Sequence, residues 1–148
     1  MSDRPKRILF VCSGNSCRSA MAEGLARILA DRFDLDMEFS SAGTLGSDGA
    51  PASPEAVAVA AELGADISSH RSRTLSPEIV RRADIIFGME YAHLESVKAI
   101  SAGRARVALL GDAEIPDPIG RDRDFYRAVR DEIWTSLERI LPEIDDEI

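Results

Sequence analysis

Short apolar runs alternate along the chain with longer segments of helical periodicity. The runs predict buried strands, and segments with apolar residues three and four positions apart predict amphipathic helices. The predicted strands are residues 7–11, 38–42, 84–87 and 106–110. The predicted helices are residues 19–33, 54–64, 77–82 and 90–100, and a last helix has the apolar face Phe125, Val129, Ile133, Leu137 and Ile140. Strands that alternate with helices favour an α/β fold with a parallel sheet.

Two of these helices have clear start signals. Ser53 and Ser76 are each followed by Pro and Glu, the pattern of an N-cap with proline at the first helical position. Residues 43–52 form a Gly-rich loop before the first of them. Right-handed crossovers place the carboxyl ends of all strands at one edge of the sheet, where open α/β folds bind ligands. We therefore expect the functional site beyond the ends of the strands.

The segment that follows the first strand is the strongest candidate for chemistry. Arg18 follows Cys12 after five intervening residues, which include Gly14 and Asn15, two residue types that adopt positive φ easily. Such a loop can turn its amides inward as an anion nest, with the start of a helix and a guanidinium facing the same point. This field favours the thiolate of Cys12, the reactive form, and Ser19 is placed to donate to its sulfur.

The spacing alone is weak evidence. An Arg six positions after a Cys arises by chance in roughly one chain in ten of this composition. On the spacing alone, a buried Cys12 on a turn with a solvated Arg18 is an equally good interpretation.

The complete segment from Val11 to Glu23 resembles the signature of the low-molecular-weight protein tyrosine phosphatases. The resemblance extends along essentially the whole chain. It is carried by Val11 to Glu23, Ser41-Ala42-Gly43, His70-Arg71-Ser72-Arg73, Ala83-Asp84, Ile86, Met89 and Ile115-Pro116-Asp117-Pro118. The departures are Ala20, where the family usually has proline, and Ile119, where it usually has an aromatic residue. The resemblance implies one three-layer domain over residues 1–148. It also implies a four-stranded parallel sheet of order 2-1-3-4 with helices on both faces and a phosphatase P-loop after strand 1.

The resemblance also assigns roles. It makes Cys12 the nucleophile, Arg18 the phosphate clamp and Asp117 the general acid and base of a cysteinyl-phosphate mechanism. The phosphate-binding residues would be Ser13, Gly14, Asn15, Ser16, Cys17, Arg18 and Ser19. From the tetrapeptide Asp117 to Gly120 alone, a type I turn is the better interpretation, and Asp112 and Glu114 are weaker candidates for the acid.

The family further implies a hydrogen-bond network that supports the loop, made by Asn15, Ser19, Ser41 and His70. For His70 taken alone, a surface position beside a helix is the better interpretation. Cys17 resembles the family's second cysteine, which forms a reversible disulfide with the nucleophile; a small buried filler is the alternative. We expect His93 to be an exposed helix residue without a function.

Composition and charge limit the partners, the location and the cofactors that we expect for this protein. The 148 residues carry a formal charge of −8, which argues against nucleic acid as a partner. No apolar run reaches the roughly 18 residues of a membrane span, and no signal-peptide core is present, so a cytoplasmic protein without a membrane partner is expected. The two cysteines and two histidines lack the paired spacing of a zinc site. We expect no metal and no cofactor.

The substrate stays open between phosphotyrosine and phosphoarginine in proteins, with inorganic phosphate and other oxyanions as inhibitors. Ser16 stands where tyrosine-directed members commonly have isoleucine, and Ile119 replaces a ring that would stack on phenyl. A small polar residue at position 16 is similar to the protein arginine phosphatase branch, so Ser16 and Ile119 are the predicted specificity residues. An arsenate reductase coupled to a low-molecular-weight thiol is the alternative, and a catalytically silent phosphopeptide-binding module is a third.

Overall fold

The computed structural model describes residues 4–45, 48–100 and 103–145. The strands are β1 (Lys6–Cys12), β2 (Met37–Gly43), β3 (Ile85–Gly88) and β4 (Arg106–Leu109). The helices are α1 (Arg18–Arg32), α2 (Pro54–Ala61), α3 (Pro77–Arg82), α4 (Tyr91–Ile100) and α5 (Arg123–Asp145). All strand pairs are parallel and the order is β2-β1-β3-β4. The predicted fold class and strand order are confirmed.

The predicted helix starts are also confirmed. The Ser53 hydroxyl accepts from the amide of Ala56 at 3.3 Å, and the Ser76 hydroxyl accepts from that of Ile79 at 3.2 Å. Each replaces a partner that the first turn of a helix lacks. α2 is shorter than predicted, because it ends at Ala61 and the chain then turns through Gly64, whose φ is +92°. Residues 46 and 47 of the predicted Gly-rich loop lie outside the described residues.

The sheet separates two apolar clusters. The larger cluster lies between one face and the helices α1, α2 and α5, and it includes the stacked rings of Phe10, Phe39 and Phe87. The smaller cluster joins Leu9, Val11 and Ile86 to side chains of α3 and α4. Successive residues of a buried strand point to opposite faces, so a parallel strand covered on both sides is apolar throughout. Residues 8–11 are accordingly all buried.

This architecture brings the carboxyl ends of β1 and β2 together beside the start of α1. Cys12, the last residue of β1, is in register with Gly43, the last residue of β2. A Cβ atom at position 43 would lie 2.6 Å from the carbonyl oxygen of Ser13, so only glycine permits this close approach. The loop from β1 to α1 is thus held against the neighbouring strand. In the part of the chain that the structure describes, no helix has the length and apolarity needed to cross a bilayer.

Candidate active site

The loop between β1 and α1 is curled by its own backbone and by its neighbours. Asn15 has a φ of +55°, the left-handed conformation that the sequence analysis expects of this residue type. Gly14 is not among the residues with positive φ, so the curl depends on Asn15. The carbonyls of Cys12 and Ser13 each accept a hydrogen bond at 2.9 Å from the amides of Thr44 and Leu45. The loop is therefore continuous with the segment that follows β2.

The side chain and carbonyl of Asn15 make three hydrogen bonds that hold the curl. Its Nδ2 donates to Ser19 Oγ at 2.7 Å, its Oδ1 accepts from the amide of Arg73 at 2.9 Å, and its carbonyl lies 2.7 Å from His70 Nε2. Asn15 is fully buried. Three of the four predicted supporting residues therefore meet at the loop.

The fourth predicted supporting residue, Ser41, does not meet the loop. Its hydroxyl donates to Glu23, and its carbonyl accepts from the Arg73 guanidinium at 3.0 Å. Arg73, which also binds Asn15, is the residue that links Ser41 to the loop. The Ser41 hydroxyl itself is directed to α1, so the part of Ser41 in the network that supports the loop stays a prediction.

The sulfur of Cys12 lies 2.9 Å from the hydroxyl oxygen of Ser19, and both residues are buried. Ser19 already accepts a hydrogen from Asn15, so its own hydroxyl hydrogen is available to the sulfur. A donor aimed at a sulfur at the start of a helix stabilises the thiolate over the thiol. The geometry supplies a nucleophile with a partner for its negative form.

Arg18 is almost fully buried, at 1% exposure, in the first turn of α1. Its Nη1 donates to the carboxylate of Glu90 and to the carbonyl of Ile115 at 2.7 Å. Its Nη2 lies 3.7 Å from Asp117 Oδ2. A charge removed from water is costly unless it is paired, and Glu90 supplies that partner. Glu90 was not predicted from the sequence, because an acidic residue at a helix start is common without a function.

Asp117 lies on the exposed side of the same cavity, and its side chain is 41% exposed. Its Oδ1 accepts from the amide of Ile119 at 3.1 Å, and the carbonyl of Pro118 accepts from the amide of Arg121. The hydrogen-bonded turn is thus one residue later than the type I turn considered from the sequence, with Gly120 at a φ of +77°. The turn and the acid are compatible, since the turn directs the carboxylate to Arg18.

These residues enclose a cavity of about 250 Å³. Its lining consists of Cys12, Ser13, Gly14, Ser16, Cys17, Arg18, Leu45, Asp117 and Ile119. Leu45 and Ile119 are exposed aliphatic residues at its rim, with 69% and 58% exposure. Among the described residues, no aromatic side chain lines this cavity. The site is a small cavity with an aliphatic rim.

Cys17 is a free, buried thiol. Its sulfur lies 3.3 Å from Ser53 Oγ and 3.4 Å from the hydroxyl of Tyr126. Burial and the neighbouring Cys17 raise the pKa of Tyr126 to about 12, so Tyr126 is a neutral donor at this position. A disulfide between Cys17 and Cys12 stays a prediction.

His93 contradicts the sequence prediction of an exposed residue, because it is 2% exposed. Its Nδ1 accepts from the amide of Glu90 and its Nε2 lies 3.0 Å from Ser13 Oγ.

Within the described ranges, no group of three His, Cys, Asp or Glu side chains is arranged to hold a metal ion.

The match to a family model shows the family of this chain. Residues 7–148 match the model described as low molecular weight phosphotyrosine protein phosphatase. The chain belongs to this family. The family membership makes it a phosphatase of the low-molecular-weight type, and the arsenate reductase alternative is not favoured.

Curated relatives agree with this assignment. The chain is similar to a protein-arginine-phosphatase of Bacillus subtilis, at 32% identity over 93% of this chain and 95% of the relative. It is also similar to the low molecular weight protein-tyrosine-phosphatase Wzb of Escherichia coli, at 36% identity over 89% of this chain and 88% of the relative. Relatives of both substrate types are thus about equally similar.

A solved structure of the YwlE arginine phosphatase, a mutant with a phosphorylated active site serine, superposes on this chain with a TM-score of 0.89. The two sequences are 30% identical, and the match covers 95% of this chain and 97% of the other. A phosphoryl group on an active-site side chain agrees with the cysteine-phosphate mechanism of this phosphatase family.

Proposed function

We propose that this phosphatase removes the phosphoryl group from phosphoarginine in proteins, with Cys12 as nucleophile, Arg18 as phosphate clamp and Asp117 as general acid and base. The observation that carries the substrate is the rim of the cavity, where the exposed side chains of Leu45 and Ile119 are both aliphatic. The catalytic roles follow from the chemistry of the enclosed groups.

In the first step, the Cys12 thiolate attacks phosphorus and forms a sulfur–phosphorus bond while the phosphorus–nitrogen bond of the substrate breaks. Ser19 stabilises the thiolate through the 2.9 Å contact. Arg18 and the backbone amides of the loop are the groups expected to stabilise the negative charge on the equatorial oxygens in the transition state. Because Glu90 and Ile115 fix the guanidinium, its orientation needs no rearrangement during the reaction.

Asp117 supplies the proton that the leaving nitrogen needs, since an unprotonated leaving group departs poorly. Water then attacks the phosphorus of the phosphocysteine and forms an oxygen–phosphorus bond while Asp117 accepts a proton from that water. The sulfur–phosphorus bond breaks, which releases inorganic phosphate and regenerates the Cys12 thiolate. The carboxylate is partly exposed and lies 3.7 Å from Arg18, which supports this role because both the phosphate clamp and water are near it. Both steps use groups that the cavity already brings together.

The rim favours the stem of an arginine over a phenyl ring. A phosphoarginine side chain carries a flexible methylene stem, which packs against branched aliphatic groups without a ring to stack on. Ser16 lines the cavity, and its hydroxyl has a weak contact at 3.7 Å with the sulfur of Cys17. This hydroxyl is therefore able to accept from the guanidinium N–H groups of phosphoarginine, which phosphotyrosine lacks.

Phosphotyrosine is the second candidate, because the relatives named protein-tyrosine-phosphatases are as similar in sequence as the arginine phosphatases. A phosphotyrosine ring would lie between Leu45 and Ile119 without an aromatic partner. Such a contact buries area but lacks the additional energy of ring stacking, about 0.5–1.5 kcal/mol.

The test is phosphate release from matched peptides that carry one phosphoarginine or one phosphotyrosine in the same sequence. We expect a higher kcat/KM for phosphoarginine, and Ser16→Ile to shift the preference towards phosphotyrosine by about ten-fold. A wild-type preference for phosphotyrosine would overturn the substrate assignment. An arsenate-plus-thiol assay and the Cys12→Ser variant run beside it, so that a reductase activity would be detected.

A further inference from the structure

The tautomer of His93 is defined by its two neighbours. A backbone amide only donates, so the bond at 3.0 Å from the amide of Glu90 requires an unprotonated Nδ1. The proton of a neutral imidazole is then on Nε2, which lies 3.0 Å from Ser13 Oγ and donates to it. His93 therefore bridges the start of α4 and the loop that carries Cys12.

Each end of this bridge leads to a group that handles phosphate. Ser13 directly follows Cys12 and lines the cavity. Glu90 holds the Nη1 of Arg18, whose side chain is 2% exposed. His93 itself does not line the cavity, so an effect on catalysis has to pass through these neighbours.

The first turn of α4 packs closely against the end of β3, and this packing brings His93 near Ser13. A Cβ atom at Gly88, the end of β3, would lie 2.8 Å from Leu94 Cδ2 and 3.1 Å from His93 Cβ. Glycine at this position thus allows the first turn of α4 to approach the sheet closely enough for the imidazole to reach Ser13.

We propose that His93 is a positioning residue, which in its neutral Nε2–H form ties Ser13 of the phosphate-binding loop to the turn that carries Glu90 and so orients Arg18. The proposal rests on the role proposed above for Arg18. Protonation removes the acceptor at Nδ1 and releases the amide of Glu90. Glu90 then holds the Arg18 guanidinium less firmly, while the bond from Nε2 to Ser13 persists.

Burial, more than the charged groups around it, keeps His93 neutral near pH 7. Burial and the nearby Arg18 lower the pKa of His93, while Glu90, Asp117 and Glu114 oppose this effect. The unfolded chain has the ordinary histidine pKa of about 6.5. The stabilisation by neutral His93 is therefore complete above pH 6.5 and is lost as the pH falls through the lower pKa of the folded state.

Two substitutions separate the two bonds. His93→Gln keeps a donor near the position of Nε2 but has no acceptor at that of Nδ1, so it is a neutral counterpart of protonated histidine. His93→Asn keeps an acceptor near Nδ1 but does not reach Ser13. Ser96→Ala on the same helix is the matched control, because the Ser96 hydroxyl is exposed and bonds only within α4, to the carbonyl of Ala92.

The assay is hydrolysis of p-nitrophenyl phosphate between pH 5 and 8, with inorganic phosphate as competitive inhibitor, because this substrate does not depend on the assignment of phosphoarginine. At pH 7.5 we expect His93→Gln and His93→Asn to lower kcat/KM and weaken phosphate inhibition by about five- to ten-fold, with Ser96→Ala unchanged. The ratio of wild type to His93→Gln should fall towards 1 as the pH is lowered through the pKa of folded His93, because wild type loses the same bond by protonation. A structural role alone would leave this ratio constant.

A coupled variant tests the bond to Ser13. Since Ser13→Ala and His93→Asn remove the same hydrogen bond, the double variant should be no worse than the more severe single variant. Multiplied losses would overturn the proposal.

Nitrogen NMR of the wild type tests the tautomer without any variant or activity, and the chain has only two histidines to assign. A proton on Nδ1, or a titration above pH 6.5, would overturn the proposal even if the variants fail to fold. If Arg18 were not the phosphate clamp, the tautomer would stand but phosphate inhibition would not change.

Discussion

The phosphate-binding loop and the rim of the cavity differ in how completely they are held. In the loop, Asn15, Arg18 and Ser19 are almost fully buried, and in the described residues no buried side-chain nitrogen or oxygen lacks a partner. At the rim, Leu45 and Ile119 are more than half exposed. Buried polar networks that are fully satisfied hold one geometry, whereas exposed side chains adapt. The loop is thus suited to a fixed reaction, and the rim to the choice of substrate.

The largest expected effect is at the centre of the loop. Cys12→Ser should lower turnover at least about 10⁴-fold, since the reaction loses its nucleophile. The matched control is Cys17→Ser, whose hydroxyl would have Ser53 and Tyr126 as partners. Phosphate release from an aryl phosphate measures both. Comparable losses in the two variants would mean that the loop tolerates no change at either cysteine, and the role of Cys12 as nucleophile would lose its support.

Asp117 lies where the two regions meet. Asp117→Asn should slow the chemical step by roughly 10²- to 10⁴-fold for poor leaving groups and much less for activated aryl phosphates, which need no proton. The measurement is kcat/KM across phosphate esters whose leaving groups span a wide range of acidity. An equal loss on every ester would contradict the role of general acid.

Asn15 is the residue expected to hold the curl of the loop through its hydrogen bonds. Asn15→Ala removes two side-chain hydrogen bonds and places alanine at a φ of +55°. We expect kcat/KM to fall about 10- to 100-fold and the free energy of unfolding to fall by about 2–4 kcal/mol. Urea unfolding and steady-state kinetics give the two values.

Asp34 offers a matched control, because it also has a φ of +55° but is exposed in the turn after α1. Asp34→Ala should lower stability by only about 1 kcal/mol and leave kcat/KM unchanged. If Asn15→Ala behaved like Asp34→Ala, the hydrogen bonds of Asn15 would be unimportant for the loop.

The separation of residues along the chain explains which features of the site the sequence could predict. Cys12, Arg18 and Ser19 belong to one contiguous string, so local geometry alone brings them together. The parallel sheet and the carboxyl-edge position of Asp117 follow from the alternation of elements, whereas the strand order was implied by the family resemblance. These features depend on short-range patterns and on general rules of connection.

Contacts between distant elements were not predictable in this way. A polar residue at the start of an amphipathic helix reads as exposed, yet His93 is buried because the first turn of α4 packs beside Gly88 and the loop. Glu90 was missed for the same reason. The sequence also did not indicate that the Ser41 hydroxyl donates to Glu23 while its carbonyl accepts from Arg73. Such pairings depend on the separation of packed elements, which periodicity does not encode.

The smallest effect is expected at the rim. Ile119→Ala removes an exposed side chain, so the free energy of unfolding should change by less than about 0.5 kcal/mol. If the methylene stem of a phosphorylated side chain packs there, kcat/KM for a phosphoarginine peptide should fall about three- to ten-fold, while that for p-nitrophenyl phosphate changes less than two-fold. Phe33→Ala is the control, since Phe33 is an exposed apolar residue at the far end of α1. Equal losses on peptide and aryl phosphate would place Ile119 with the chemistry of the loop, and the division between a fixed loop and an adaptable rim would fail at that residue.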